Sequence, residues 1–196
     1  SAGRLMSYRY RRYTAVRVLL VEDHASDCAL IEIALRSAGR RFELSVADRP
    51  SAAEAHLASH EADVVLLDLN LPDASGIQAL DRLQSFAADK PVVVLTGLDD
   101  DELAVVALQR GASDYLVKDG LNGSLLARSL IYAIERCRIE QQLGEAQRIA
   151  HVGSWEWTIA DDALSCSREL HRIYDSPAGG FPTTLAGLLA PVHPDD

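Results

Sequence analysis

Four short apolar runs, each followed at once by a polar or charged side chain, constrain what this chain can fold into. The run at 64–67 consists only of Val and Leu and ends in Asp68. Such runs, without polar alternation, are typical of strands buried on both faces of a parallel sheet. The carboxyl ends of parallel strands share one edge, where open sheets bind ligands. The groups that follow the other three runs are Glu22 with Asp23, Thr96, and Lys118.

Strand and helix patterns alternate through most of the chain. The predicted strands are 16–21, 42–47, 63–68, 92–96 and 114–117. The predicted helices are 25–38, 51–59, 75–86, 100–110 and 123–149. Five such units indicate the α/β class, with a doubly wound parallel sheet covered by helices on both faces. In the flavodoxin-like strand order 2-1-3-4-5, the first and third strands are neighbours.

That strand order would bring the carboxylates of Glu22, Asp23 and Asp68 together. Because like charges repel, either one carboxylate takes up a proton or a cation lies between them. A hard divalent ion with oxygen ligands, Mg²⁺, fits such a group. Lys118 and Thr96 complete a pocket suited to a tetrahedral anion on Asp68. The residues therefore indicate phosphoryl transfer onto a carboxylate.

Residues 16 to about 138 resemble a response-regulator receiver domain of two-component signalling. The resemblance rests on five pieces in the family's order and at compatible spacing. These pieces are Glu22 with Asp23, the D-x-x-x-P-x-x-x-G frame of Asp68, Pro72 and Gly76, the Val-Leu-Thr-Gly of Thr96, the Asp114-Tyr115 pair, and Lys118. The resemblance implies a cytoplasmic bacterial switch that is not itself an enzyme and is phosphorylated by a histidine kinase or phosphotransfer protein.

The resemblance also implies residue roles. Asp68 is the phospho-acceptor, Lys118 pairs with the phosphoryl oxygens, and Thr96 and Tyr115 change position on phosphorylation. The rearranged face comprises the helix at 100–110, the strand at 114–117 and the helix from 123 onward. The implied Mg²⁺ ligands are Asp23 and Asp68, aided by Glu22 and the backbone carbonyl of Asn70.

Two positions depart from the family pattern. The first acid is Glu22, where the family usually has Asp, a change that leaves metal binding intact. Asp119 follows Lys118, where the family usually has a proline after a cis bond. A cis bond before a non-proline residue costs about 2.5–4 kcal/mol, so we expect a trans bond and a differently shaped loop.

The sequence predicts four segments: a flexible leader at 1–15, the receiver domain at 16–123, a connector helix at 124–150, and the first half of a PAS domain at 151–196. The connector carries a stripe at four-three spacing, which is typical of a coiled-coil seam. The stripe is short, so we expect a weak homodimer. Its central residues are Ile139, Leu143 and Ala146.

The PAS resemblance rests on three stretches, 147–157, 167–174 and 192–196. Alternation at 152–159 and 163–166 predicts two strands, and 167–174 is helical in pattern. A PAS sheet has five strands, so this segment resembles only its α+β beginning. A PAS-containing output, with an enzyme such as a histidine kinase or diguanylate cyclase beyond residue 196, is compatible with the resemblance.

Composition and alternative chemistries bound the hypothesis. A net charge of −10 argues against a nucleic-acid-binding surface. The sequence contains no stretch of about 18 apolar residues, so it predicts no membrane span. A Mg²⁺-dependent phosphohydrolase of the haloacid-dehalogenase type also uses a strand-end Asp. It needs a second Asp where this chain has Asn70. A phosphate-independent dimerisation module is the third hypothesis.

Overall fold

The structure, a computed structural model, describes residues 15–71, 76–97, 101–174 and 182–190 of the chain. The chain divides into two compact units, one ending at Cys137 and the other beginning at Arg138. Among the described residues, no helix is long and apolar enough to cross a lipid bilayer. The predicted leader, except its last residue, lies outside this description, as do Pro72 and the motif at 192–196.

Five parallel strands form the sheet of the first unit, in the order β2-β1-β3-β4-β5. This order confirms the predicted flavodoxin-like arrangement. Asp63, predicted as the first residue of β3, lies just before that strand, where its carboxylate accepts hydrogen bonds from the backbone and guanidinium of Arg17. The strands are β1 Val16–Val21, β2 Phe42–Ala47, β3 Val64–Asp68, β4 Val92–Thr96 and β5 Asp114–Val117.

Five helices connect or follow these strands, and their bounds differ from the predicted ones by no more than two residues. Pro50 occupies the first turn of the second helix, where its fixed φ suits the helix and its missing N–H costs nothing. The side chain of Asn122 caps the fifth helix by accepting a hydrogen bond from Leu125 N at 2.9 Å. The helices are α1 Ala25–Ser37, α2 Pro50–Ser59, α3 Ile77–Phe86, α4 Asp101–Gln109 and α5 Gly123–Ala150.

Two apolar clusters, one on each face of the sheet, hold the first unit together. Alternate residues of the strands point to opposite faces, so Leu19 and Leu67 belong to one cluster and Leu20 and Leu66 to the other. Helices α2, α3 and α4 cover the first cluster; α1 and α5 cover the second. The buried α5 residues in the second cluster are Leu126, Leu130 and Ala133.

In the second unit, the described residues that follow α5 form a short hairpin and two short helices. Strands β6 Trp155–Thr158 and β7 Ala163–Cys166 pair antiparallel. Ser167 caps α6 Arg168–Ile173 by accepting a hydrogen bond from Leu170 N. Helix α7 Leu185–Leu189 follows. The predicted strand and helix pattern is therefore found, although β6 is shorter than predicted.

Replacing either of two glycines of α5 with alanine should have opposite effects on stability. A Cβ at Gly123 would collide with the carbonyl oxygen of Ala34 and with Ser37 Oγ, whereas a Cβ at Gly144 would have nothing within 4 Å. We expect Gly123→Ala to lower the free energy of unfolding by about 1–3 kcal/mol through overpacking. Gly144→Ala should be neutral or stabilise α5 by up to about 1 kcal/mol, because alanine is the better helix former. Urea unfolding followed by circular dichroism measures both; a lower midpoint for Gly144→Ala alone would contradict this packing.

Candidate functional site

The candidate site lies where the strands end. Glu22 and Asp23 follow β1 directly, and Asp68 is the last residue of β3, the neighbouring strand. The register pairs Val21 with Leu67, one position before these acids. Glu22 and Asp68 are each only 1% exposed. The polar edge of the sheet therefore carries carboxylates that are nearly removed from solvent.

Lys118 joins three carboxylates at this edge. Its Nζ lies 2.6 Å from Glu22 Oε2, 2.6 Å from Asp27 Oδ2 and 3.1 Å from Asp68 Oδ2. Its backbone N–H donates to the carbonyl oxygen of Thr96 at 2.8 Å, which fixes the start of the loop after β5. The predicted meeting of Asp68 with Lys118 is thus present, with Asp27 as an additional partner.

The carboxylates control the protonation of Lys118. Burial by itself lowers the pKa of the ammonium, but hydrogen bonds to Asp27 and Glu22 and the charge of Asp68 outweigh burial and raise the pKa well above its ordinary value. In return, the Lys118 hydrogen bond lowers the pKa of Asp27. The pair is therefore charged throughout the physiological pH range.

The charge of Asp68 is compensated by fewer hydrogen bonds than the charges of Glu22 and Asp27. Both carboxylate oxygens are buried, and neither accepts a hydrogen bond of good geometry from the described residues. The contact with Lys118 at 3.1 Å is an ion pair with an ammonium whose shorter contacts go to two other acids. A buried charge without full hydrogen bonding is costly, so Asp68 favours an incoming positive group or a proton donor.

Three adjacent residues after β1 form a group that could bind a metal ion. One ligand atom from each of Glu22, Asp23 and His24 lies within 4.8 Å of the others. Both Glu22 oxygens are already used, by the backbone N–H of His24 at 3.1 Å and by Lys118. Asp68 does not belong to this group. The Asp23 side chain is 24% exposed, and its Oδ1 lies 2.9 Å from His24 Nδ1. Carboxylate oxygens of this kind are ligands that hard divalent cations prefer.

The predicted switch residues lie near the site. Thr96 ends β4, is 4% exposed, and pairs in register with Val117, the residue before Lys118. Tyr115 is half-buried and packs against the apolar cluster covered by α2, α3 and α4. Both are therefore close to the loop that carries Lys118.

Three loops, which begin after β3, β4 and β5, border the site. Asn70 is exposed, and its side-chain amide approaches Gly97, since a Cβ built on Gly97 would lie 3.8 Å from it. The described residues contain no cis peptide bond, so the bond between Lys118 and Asp119 is trans, as expected. Residues 72–75 and 98–100 are outside the described ranges.

Sequence reasoning missed Asp27 and His24. Asp27 lies in the first turn of α1, where an acid is ordinarily explained by the helix dipole. The ring of His24 is exposed, and its Nδ1 lies 2.9 Å from Asp23 Oδ1. Both residues closely follow the acid pair at the end of β1, but this position alone does not distinguish a partner of Lys118 from an acid at a helix N-terminus.

The predicted connector residues belong to the second unit. Ile139 and Leu143 lie on α5 within the second unit and are 63% and 59% exposed. Ala146 is exposed on the same helix.

Comparison with known proteins identifies the first unit. Residues 18–129 match the response regulator receiver domain. The cell cycle transcriptional regulator CtrA of Caulobacter vibrioides is 33% identical over 138 residues, which cover 70% of this chain and 56% of CtrA. The cell cycle response regulator CtrA of Brucella ovis is 34% identical over the same length and shares. The chain thus spans a little over half the length of these curated relatives.

Solved structures agree. The signal receiver domain of a putative LuxO repressor protein from Vibrio parahaemolyticus superposes with a TM-score of 0.57 at 28% identity, covering 66% of this chain and 98% of that chain. NtrX from Brucella abortus, in complex with ADP, superposes with a TM-score of 0.61 at 25% identity, covering 68% of this chain and 30% of the NtrX chain. The sheet order, the strand-end acids with their lysine, and the match over 18–129 together place this chain in the response regulator receiver domain family.

Proposed function

We propose that the chain is a phosphorylation-dependent switch in which Asp68 accepts a phosphoryl group from a histidine kinase or phosphotransfer protein. The observation that carries this proposal is the state of the Asp68 carboxylate. It is buried, lacks well-formed hydrogen bonds from the described residues, and lies 3.1 Å from Lys118. A nucleophile held without solvation and beside an ammonium is suited to attack a phosphorus atom.

The proposed step transfers one group between two nucleophiles. An oxygen of Asp68 forms a bond to phosphorus while the bond from phosphorus to the donor histidine nitrogen breaks, and that nitrogen keeps the electron pair. Asp68 becomes an acyl phosphate. Lys118 holds phosphoryl oxygens by charge and hydrogen bonding, because such transfer depends on positioning and charge neutralisation.

The residues fit a divalent cation. Asp68 has buried oxygens with unused lone pairs, and Asp23 presents a partly exposed carboxylate beside it along the sheet edge. Both would hold Mg²⁺, with the Asn70 carbonyl as a further oxygen ligand. Glu22 acts indirectly, because its oxygens hold Lys118 and the His24 backbone. When bound, Mg²⁺ supplies positive charge to the phosphoryl oxygens.

The proposed output begins at the loops around Asp68. A phosphoryl group carries a charge of about −1.5 to −2 and strong acceptor oxygens, so it competes for nearby donors. Thr96 moves to donate its hydroxyl, and Tyr115 follows. The face formed by α4, β5 and α5 then rearranges, and α5 relays the change to a PAS-containing output.

Two observations bear on the finer parts of this proposal. The hairpin and short helix of the second unit are compatible with the start of a PAS domain. The exposed apolar residues Ile139 and Leu143 support a weak homodimer through α5. A hydrolase of the haloacid-dehalogenase type is disfavoured, because Asn70 cannot serve as its second acid.

The acceptor assignment is tested with acetyl phosphate and Mg²⁺, followed by intact-protein mass. The wild type should gain one phosphoryl group and lose this ability in EDTA. Asp68→Asn should gain none, since the amide lacks the nucleophilic oxygen. Asp48→Asn is the matched control: Asp48 is an exposed acid directly after β2 at the same sheet edge, paired with Arg49. It should behave as the wild type. A phosphorylated Asp68→Asn protein would refute the assignment.

The connector proposal is tested by sedimentation equilibrium over a wide concentration range. The wild type should show weak, concentration-dependent association, because short seams give marginal helix pairing. Leu143→Glu should remain monomeric, since it places a charge in the seam. Gln142→Glu adds the same charge to an exposed position off the stripe and should associate as the wild type does. Identical sedimentation of all three proteins would show that α5 is only a tether.

A further inference from the structure

The ammonium of Lys118 is divided among three acids, and Asp27 is the one that the receiver mechanism leaves without a role. An ammonium has three N–H donors. The contacts to Glu22 and Asp27 are 2.6 Å each, and the contact to Asp68 is 3.1 Å. The ammonium is therefore held more closely by the acids of β1 and α1 than by the acceptor carboxylate.

The contacts of Asp27 connect it to Lys118. It lies in the first turn of α1, and its backbone N–H donates to the carbonyl oxygen of His24 at 3.1 Å. Its carboxylate accepts from Lys118 and, at 3.4 Å, from the hydroxyl of Ser26. Its strongest contact thus links α1 to the loop after β5.

This link is more than an ordinary surface ion pair. Such pairs contribute little when both side chains are solvated. The Lys118 side chain, however, is 16% exposed and that of Asp27 32% exposed. The same ammonium faces the buried oxygens of Asp68. A change of charge at Asp68 therefore changes the balance between Asp27 and the acceptor directly.

We propose that Asp27 is a positioning residue that holds Lys118 toward α1 and competes with the phosphoryl group on Asp68 for its ammonium. The inference rests on the proposed function, in which Asp68 is the acceptor. Phosphorylation raises the negative charge at Asp68 to more than that of one carboxylate. Lys118 then turns its donors to the phosphoryl oxygens, and the contact between the loop after β5 and α1 is released.

Two consequences follow. Asp27 slows phosphorylation, because its charge repels an anionic phosphodonor and its hydrogen bond occupies a donor that the phosphoryl group needs. The start of α1 also becomes a second element that responds to phosphorylation, in addition to the face formed by α4, β5 and α5. The release should be visible at α1 itself.

The test compares wild type, Asp27→Asn and Asp27→Glu for the rate of phosphorylation by acetyl phosphate with Mg²⁺. Asp27→Asn should react about three- to tenfold faster, the size of effect expected for removing one nearby like charge at a partly solvated site. Asp27→Glu restores the carboxylate and should return the rate toward wild type. Glu32→Gln makes the same change of charge on α1, where the acid pairs with Arg36, and should leave the rate unchanged.

Amide hydrogen exchange over residues 25–31 gives a second readout that simple loss of stability would not reproduce. In wild type, exchange there should accelerate on phosphorylation. In Asp27→Asn it should be fast beforehand and unchanged afterwards. An Asp27→Asn protein with the wild-type rate and the wild-type exchange response overturns the inference while Asp68 phosphorylation stands. A wild type that gains no phosphoryl group overturns the proposed function and this inference with it.

Discussion

The structure of the site depends on one shared ammonium. Lys118 contacts Glu22, Asp27 and Asp68, which come from three different parts of the chain, and so it ties the ends of β1, β3 and β5 to the start of α1. Carboxylates outnumber this positive charge. Because buried like charges repel one another, a site of this composition favours an additional positive charge.

The rigid sheet holds these carboxylates together despite their mutual repulsion. Strands β1, β3 and β4 are buried on both faces, and the two apolar clusters fix their ends with little freedom to move. Acids that would separate in a flexible chain are therefore held at one edge. The stability of the core offsets the cost of holding these acids together.

Much of this arrangement could be predicted from the sequence. Uninterrupted Val and Leu runs indicated β1, β3 and β4, because short runs of this kind are typical of strands buried on both faces. The meeting of Glu22 and Asp68 at Lys118 followed from parallel strands ending at one edge.

What could not be predicted depends on side-chain geometry. An acid in a first helical turn, such as Asp27, is explained equally well by the helix dipole. Its hydrogen bond with Lys118 could be recognised only from the position of α1 in the structure. The full use of both Glu22 oxygens depends on the backbone of His24, which residue spacing does not encode. In the second unit, the strands and helices were predictable because their sequence patterns are local. Assigning this unit to a domain family depends on how distant strands pair, and local patterns do not determine that pairing.

The proposed Mg²⁺ site joins Asp68 with Asp23. Calorimetric titration of Mg²⁺ into the full chain measures this pairing directly. The wild type should bind one ion, and Asp23→Asn should bind it at least about tenfold more weakly, since losing even an outer-shell partner costs that much. Asp48→Asn, at the same edge but paired with Arg49, should retain wild-type affinity. Equal affinity in Asp23→Asn and the wild type would show that Asp23 does not hold the ion.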